Sequence, residues 1–255
     1  MIKGLYTAAT GMNVQAKKMD VISNDLANVN TAGYKKDTTV ITSFKETLMK
    51  RINDSQHNMP NNETIGTVSL GAKVAEVYTQ FSQGSLVATN ELTDVAIQGD
   101  GFFVVNTLDG EAYTRDGNFV VNQNGDLVTT EGYSVMGQNG AISFGEEFLT
   151  SGGDISIKEN GDIYLNTTYI DTLDIANFED TRALTKMNDN LYSSTAQRSE
   201  FTGSVIQGFL EASNVNSVTA MVDMITVSRA YEANQKVLQT HDSLLSKAVN
   251  EIAEV

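Results

Sequence analysis

Residues Met1 to Gly33 read MIKGLYTAATGMNVQAKKMDVISNDLANVNTAG, and this stretch decides the fold. Within it Leu5, Ala8, Met12, Gln15, Met19, Ile22, Leu26 and Val29 follow in steps of three and four. That is the a/d rhythm of a heptad, broken only by the polar Gln15, whose neighbour Ala16 can share its place. A helix over this stripe runs roughly 37 Å at about 1.5 Å per residue. Asn28, Asn30 and Thr31 have short side chains that bond nearby backbone groups, and Gly33 supplies the positive φ that closes a helix.

The other end of the chain repeats the pattern. Ala220, Met224, Val227, Tyr231, Asn234, Leu238, His241, Leu245, Ala248 and Ile252 keep the same spacing, with Asn214 or Asn216 as the N-cap. Asn234 and His241 are polar positions inside an apolar stripe. In a coiled coil such residues fix register and oligomer state at a cost in stability. Helices gain most of their stability by packing an apolar face, so each stripe needs a partner. That partner is either the other end of the same chain or a neighbouring copy, and both readings fit the spacing. In the free chain, ends without partners are expected to be largely disordered.

Between the ends the texture changes. From about Gly84 to Phe201 the chain is dense in β-branched and aromatic residues, punctuated by Asp109-Gly110, Asp116-Gly117, Asn124-Gly125, Asn139-Gly140 and Asn160-Gly161. These dipeptides are the strongest short hairpin signals and predict an antiparallel sheet, in part closed. The single proline, Pro60, lies in a polar run from Asn53 to Thr64 that reads as an exposed loop.

Composition narrows the function classes. The formal net charge of −15 disfavours a phosphate-backbone partner and an anionic membrane surface, so no nucleic acid is expected. The absence of cysteine removes disulfides, thiolate nucleophiles and cysteine zinc sites. No h-region follows Met1 and no run of about 18 apolar residues occurs, so neither a cleaved signal peptide nor direct membrane insertion is expected.

Three segments resemble a known family. The first is Ser23-Asn24-Asp25-Leu26-Ala27-Asn28-Val29-Asn30-Thr31-Ala32-Gly33-Tyr34-Lys35. It is similar to the N-terminal signature of flagellar rod and hook proteins, with Asp25 where the signature has Asn. The second comprises Gln83-Gly84-Ser85-Leu86, Asp94 to Val105, Tyr113 to Phe119 and Gly125 to Thr129. The third runs from Gly208 to Asn216 and continues in Met224-Ile225 and Arg229-Ala230-Tyr231-Glu232. Together, in this order, they resemble the flagellar basal-body rod family. That resemblance implies a structural axial subunit that passes unfolded through the flagellar export apparatus and packs its terminal helices as an inner tube. It also implies that Tyr34 and Lys35 face a neighbouring subunit. Arg229 to Glu232 and Gln98 to Phe103 look like the distal rod protein. Val218 to Ile225 and the region from Val135 to Tyr192 look like a proximal one, with the balance slightly toward proximal and the choice open.

The residues that could suggest an enzyme or a metal site do not complete a signature. Asp100, Asp116, Asp126 and Asp162 do not form a calcium loop: position 1 falls on Val120 when counted from Gly125, and on Ser156 when counted from Gly161. They read as turn residues. His57 and His241, the two histidines, have no metal-site context, and His241 reads as a polar member of the stripe. There is no G-x-S-x-G elbow and no phosphate loop, and Gly99-Asp100-Gly101 lacks the third glycine of a dinucleotide turn. Paired carboxylates across a sheet cannot be read from sequence.

The expectation is therefore an α+β chain that is not an enzyme and has no cofactor, no metal and no small-molecule substrate. N- and C-terminal helices form a discontinuous coiled-coil-type domain over 1–36 and 208–255. A linker or extended arm covers 37–80, and a central antiparallel β-rich outer domain covers 81–207. Expected partners are the chain itself, other rod or hook subunits and the export apparatus. The expected assembly contacts are Leu5, Met12, Met19, Ile22, Leu26, Val29, Tyr34, Met224, Val227, Tyr231, Leu238, His241, Leu245 and Ile252. The alternatives are a hook or other axial component, or a secreted β-domain enzyme acting on carbohydrate, or an adhesin.

Overall fold

The computed structural model describes residues 2–50, 64–145, 148, 153–187 and 190–252; His57 and Pro60 lie outside them. The chain divides into two compact units. The helical unit comprises Met1–Leu26, Asp37–Tyr78 and Ser217–Val255, and the β unit comprises Ala27–Lys36 and Thr79–Asn216.

In the helical unit the N-terminal helix spans Ile2–Ala27 and the C-terminal helix spans Ser217–Ile252. The first helix stops two residues short of Val29, which lies in the turn that follows and belongs to the β unit. Asn216 directly precedes the C-terminal helix, the N-cap place, while the Asn214 side chain is engaged elsewhere. Gly4 lies against His241 and Gly11 against Asn234, so the two helices run antiparallel. The described residues of the segment expected as a linker or extended arm form strands. Asp37–Ser43 pairs with Ala72–Thr79, and Thr47–Lys50 pairs antiparallel with Thr64–Val68. Phe44, just beyond the first of these strands, packs its ring 6.1 Å from that of Tyr6 on the N-terminal helix.

The β unit holds the hydrophobic core. Its largest sheet runs, edge to edge, Leu184–Lys186, Leu191–Ser194, Gly110–Thr114, Phe102–Thr107, Ser134–Gly137, Leu127–Thr129, Phe119–Val121. Neighbours in it are antiparallel. Phe102–Thr107 explains its own sequence. Side chains alternate across a strand, so Phe103 and Val105 enter one buried cluster while Phe102 and Val104 enter another. A strand covered on both faces reads as an unbroken apolar run, as Phe102-Phe103-Val104-Val105 does. A separate three-stranded sheet, Ile155–Ile157, Asp162–Leu165 and Thr168–Thr172, adds Ile155, Ile163 and Leu165 to the first cluster.

Four of the five turn dipeptides join successive paired strands. Asp109-Gly110 and Asn139-Gly140 belong to two-residue hairpins, closed by the pairs Thr107 with Gly110 and Gly137 with Gly140. Asn124-Gly125 and Asn160-Gly161 connect antiparallel neighbours. Asp116-Gly117 does not close a hairpin. The Gly117 carbonyl accepts from the Val95 N–H at 3.0 Å, and the backbones approach so closely that a Cβ there would overlap the Val95 oxygen.

Two boundaries differ from expectation. Residues 27–36 and 208–216 belong to the β unit, because Phe209–Glu211 is a strand paired with Leu86–Ala88 and its Glu211 anchors both segments.

Candidate functional site

Glu211 is the centre of a buried charge cluster that ties distant segments of the β unit together. Its Oε1 accepts from the Lys35 ammonium and, at 2.8 Å, from the Gly84 N–H. Its Oε2 accepts from Arg115 Nη1 at 3.2 Å, and its carbonyl accepts from the Gly33 N–H at 2.7 Å. Arg115 Nη2 donates to the Gly99 carbonyl at 2.9 Å, and its guanidinium stands 5.2 Å from the Phe102 ring centre. Lys35 and Glu211 side chains are 0% and 1% exposed. Burial is the main influence on Lys35 and lowers its pKa below the ordinary lysine value, while Glu211 pulls it back up. An ion cluster this buried contributes little over an apolar replacement of the same shape, but losing one member strands the others.

The chain around Lys35 is shaped for this contact. Gly33 has φ +66°, and a Cβ there would stand 2.4 Å from the Arg115 carbonyl carbon, so position 33 requires glycine twice over. Asn214 Oδ1 accepts from the Lys36 N–H at 2.8 Å, and its Nδ2 donates to the Gln80 carbonyl at 2.8 Å. Lys186 places its ammonium 4.1 Å from the Tyr34 ring centre and donates to the Lys35 carbonyl at 3.2 Å.

Tyr34 and Lys35 therefore do not face a neighbouring subunit as the resemblance implied. Tyr34 is 3% exposed, and both residues are enclosed by their own chain. The aromatic ring is covered because the turn after the helix folds into the β unit, where Lys35 finds its carboxylate.

The helical unit shows the opposite pattern. Leu5, Met12, Met19, Ile22 and Leu26 are half-buried along one helix, and Met224, Tyr231, Leu238, His241 and Leu245 along the other, with Val227 buried. The side chain of Ile252 lies outside the described residues. The stripes thus meet within one chain at least at His241 and Asn234, and their other faces stay open. At about 100° per residue, Val218, Val222 and Ile225 lie opposite the stripe of the C-terminal helix and Met221 lies on its flank, and all four are exposed. Tyr6, Ile41, Leu48, Met49, Val77 and Tyr78 are exposed apolar residues of the same unit. Among the described residues no helix is long and apolar enough to cross a membrane, and no group of acidic or histidine side chains is arranged to hold a metal ion.

Sequence reasoning missed the charge cluster, whose members stand 80 and 96 residues apart along the chain. Comparison with known proteins gives it a further meaning. Residues 5–35 match the family described as flagella basal body rod protein. Residues 96–165 match the flagellar hook protein FlgE/F/G D1 domain, and residues 206–251 match the flagellar basal body rod FlgEFG protein C-terminal region. A flagellar basal-body rod protein FlgG of Borreliella burgdorferi is 38% identical over 98% of this chain and 98% of its own. This chain belongs to the flagellar basal-body rod protein family. A rod protein FlgG of Bacillus subtilis is 33% identical over 98% of this chain and 99% of its own. The Bacillus subtilis flagellar hook-basal body complex protein FlhO is 32% identical over the whole of both. Each of the three matched rod-family regions supplies one charge to the buried cluster: Lys35 from the first, Arg115 from the second and Glu211 from the third.

Proposed function

We propose that this chain is a structural subunit of the bacterial flagellar basal-body rod, which polymerises through its helical unit and transmits torque from motor to hook without chemistry. One observation carries the mechanism. The buried apolar clusters among the described residues lie in the β unit, whereas the helical unit leaves Val218, Met221, Val222, Ile225, Leu48 and Met49 exposed. Apolar surface concentrated on one unit of a chain is surface intended for a partner. Association removes it from water at about 25 cal/mol per Å² of apolar area. The partners in this reading are further copies and other rod or hook subunits, in the basal body. Delivery in this reading runs through the flagellar export apparatus. Whether the chain occupies a proximal or distal stretch of the rod is set by which neighbours its exposed faces fit.

The test is deletion of the gene followed by electron microscopy of isolated basal bodies. Rods truncated before the hook are expected, and the point of truncation locates the subunit along the axis. Complete flagella with normal motility would overturn the assignment.

A further inference from the structure

The two polar residues of the C-terminal stripe each meet a glycine of the N-terminal helix. A Cβ on Gly4 would stand 2.9 Å from His241 Nε2, and a Cβ on Gly11 would stand 3.2 Å from Asn234 Nδ2. The glycines are seven residues apart, and so are their partners, in reverse order. One heptad up the first helix therefore corresponds to one heptad down the second, and the register is constant across both contacts. Carried along the helices within one residue, it sets Leu5 beside His241, Ala8 beside Leu238, Met12 beside Asn234 and Gln15 beside Tyr231. It then sets Met19 beside Val227 and Ile22 beside Met224. Every stripe position over this span finds a stripe position of the other helix.

We propose that Gly4 and Gly11 are sockets that receive His241 and Asn234, and that these two layers set the register in which the helices of one chain pair. The apolar knobs cannot do this alone, because Leu, Met, Val and Ala at successive layers tolerate a slip of one heptad. A slip in one direction seats His241 at Gly11 but brings Asn234 to Lys18, where there is no socket. A slip in the other seats Asn234 at Gly4 but carries His241 past the start of the first helix, so only the native register fills both sockets with both polar residues. The two layers also bear local penalties that packing alone does not explain. Glycine weakens a helix interior, and His241 Nδ1 is buried without a hydrogen-bond partner among the described residues. Polar residues at core positions trade stability for register in this way. The inference concerns pairing within one chain and does not depend on whether that chain polymerises into a rod.

This chain contains no cysteine, so paired cysteines report register directly. Ala8→Cys is combined with Leu238→Cys, in register, or with Tyr231→Cys or Leu245→Cys, one heptad off. Disulfide formation within single chains is followed on non-reducing gels and mapped by mass spectrometry. The in-register pair should form at least about tenfold faster than either offset pair. Adding His241→Leu and Asn234→Leu together should bring the three rates to within about threefold, because apolar plugs accept any layer. Gly4→Ala should slow the in-register pair, and adding His241→Ser should restore it where adding Asn234→Ser does not. Equal rates in the parent chain would overturn the proposal. So would an unchanged preference in the double leucine variant, or cross-links formed only between chains.

Discussion

In the β unit, Phe102–Thr107 is covered on both faces, and Phe103 is as buried as a side chain can be. In the helical unit, Met224 lies on a regular stripe of a 36-residue helix yet is only half-buried, and Ile225 beside it is exposed. The difference lies in where each unit finds its partner surface. Strands recruited from residues 95–211 close a core around themselves. Two helices and a pair of two-stranded sheets leave each element with an uncovered side. One unit folds for its own sake, and the other, in the proposed reading, is half of an interface.

The largest expected effects lie in the β unit. Glu211→Ala strands Lys35 and Arg115 in a buried site, and should destabilise that unit by about 3–5 kcal/mol in urea unfolding followed by circular dichroism. A loss below about 1 kcal/mol would mean the cluster does not close the unit. Phe103→Ala should cost a similar amount, about 3–5 kcal/mol, through the lost burial and the cavity left behind.

A smaller effect of opposite sign is expected at Asp116. Burial pushes its carboxyl up from 3.8 to about 6, Glu131 and Asp94 add to the rise, and the bond from the Asn118 N–H opposes it. The folded state thus holds this proton more tightly than the unfolded chain. The resulting stability is fully present below about pH 4 and is lost as pH rises to about 6. Asp116→Asn keeps the acceptor for Asn118 and removes the charge. It should stabilise the β unit by about 1–2 kcal/mol at pH 7, allowing for partial solvent access, and should change nothing at pH 3.5. Urea midpoints at the two pH values check both halves of that statement.

The smallest effect on stability is expected at Met224→Ala, under about 1 kcal/mol in the free chain, because the site is half open to water. Its effect on assembly should be far larger, read as a raised critical concentration for sedimentable polymer. If Met224→Ala destabilised the free chain as much as Phe103→Ala, the contrast between the two units would be wrong.

The helices, their stripes and most of the turns were legible because each depends on residues close in sequence. The stripe positions from Ala220 to Ala248 are all half-buried or buried in the C-terminal helix. Asp109-Gly110 closes a hairpin as its dipeptide demands. Asp116-Gly117 misled because the same dipeptide also serves where one backbone must pass close to another, here that of Val95. The charge cluster was illegible because Lys35, Arg115 and Glu211 come from three segments whose meeting depends on the finished sheet. One signal was available: the three resembling segments carry charges of both signs, and buried charge requires a partner. The resemblance itself pulled Tyr34 and Lys35 outward, since a signature residue at a helix end reads as a contact for a neighbour. The span from Asp37 to Thr79 was legible only as a linker, hairpin or extended arm, because the side chains of its described strands are mostly exposed or half-buried and leave no clear alternation.

Amide hydrogen exchange on the whole of this chain, free and then assembled, tests most directly whether the helical unit is an interface. In the free chain, amides around Phe103 and Val135 should exchange slowly, and those around Ile22 and Leu245 quickly. On assembly the helical amides alone should slow, by at least about a hundredfold. Strong protection at Ile22 and Leu245 in the free chain, equal to that at Phe103 and unchanged on assembly, would contradict the account.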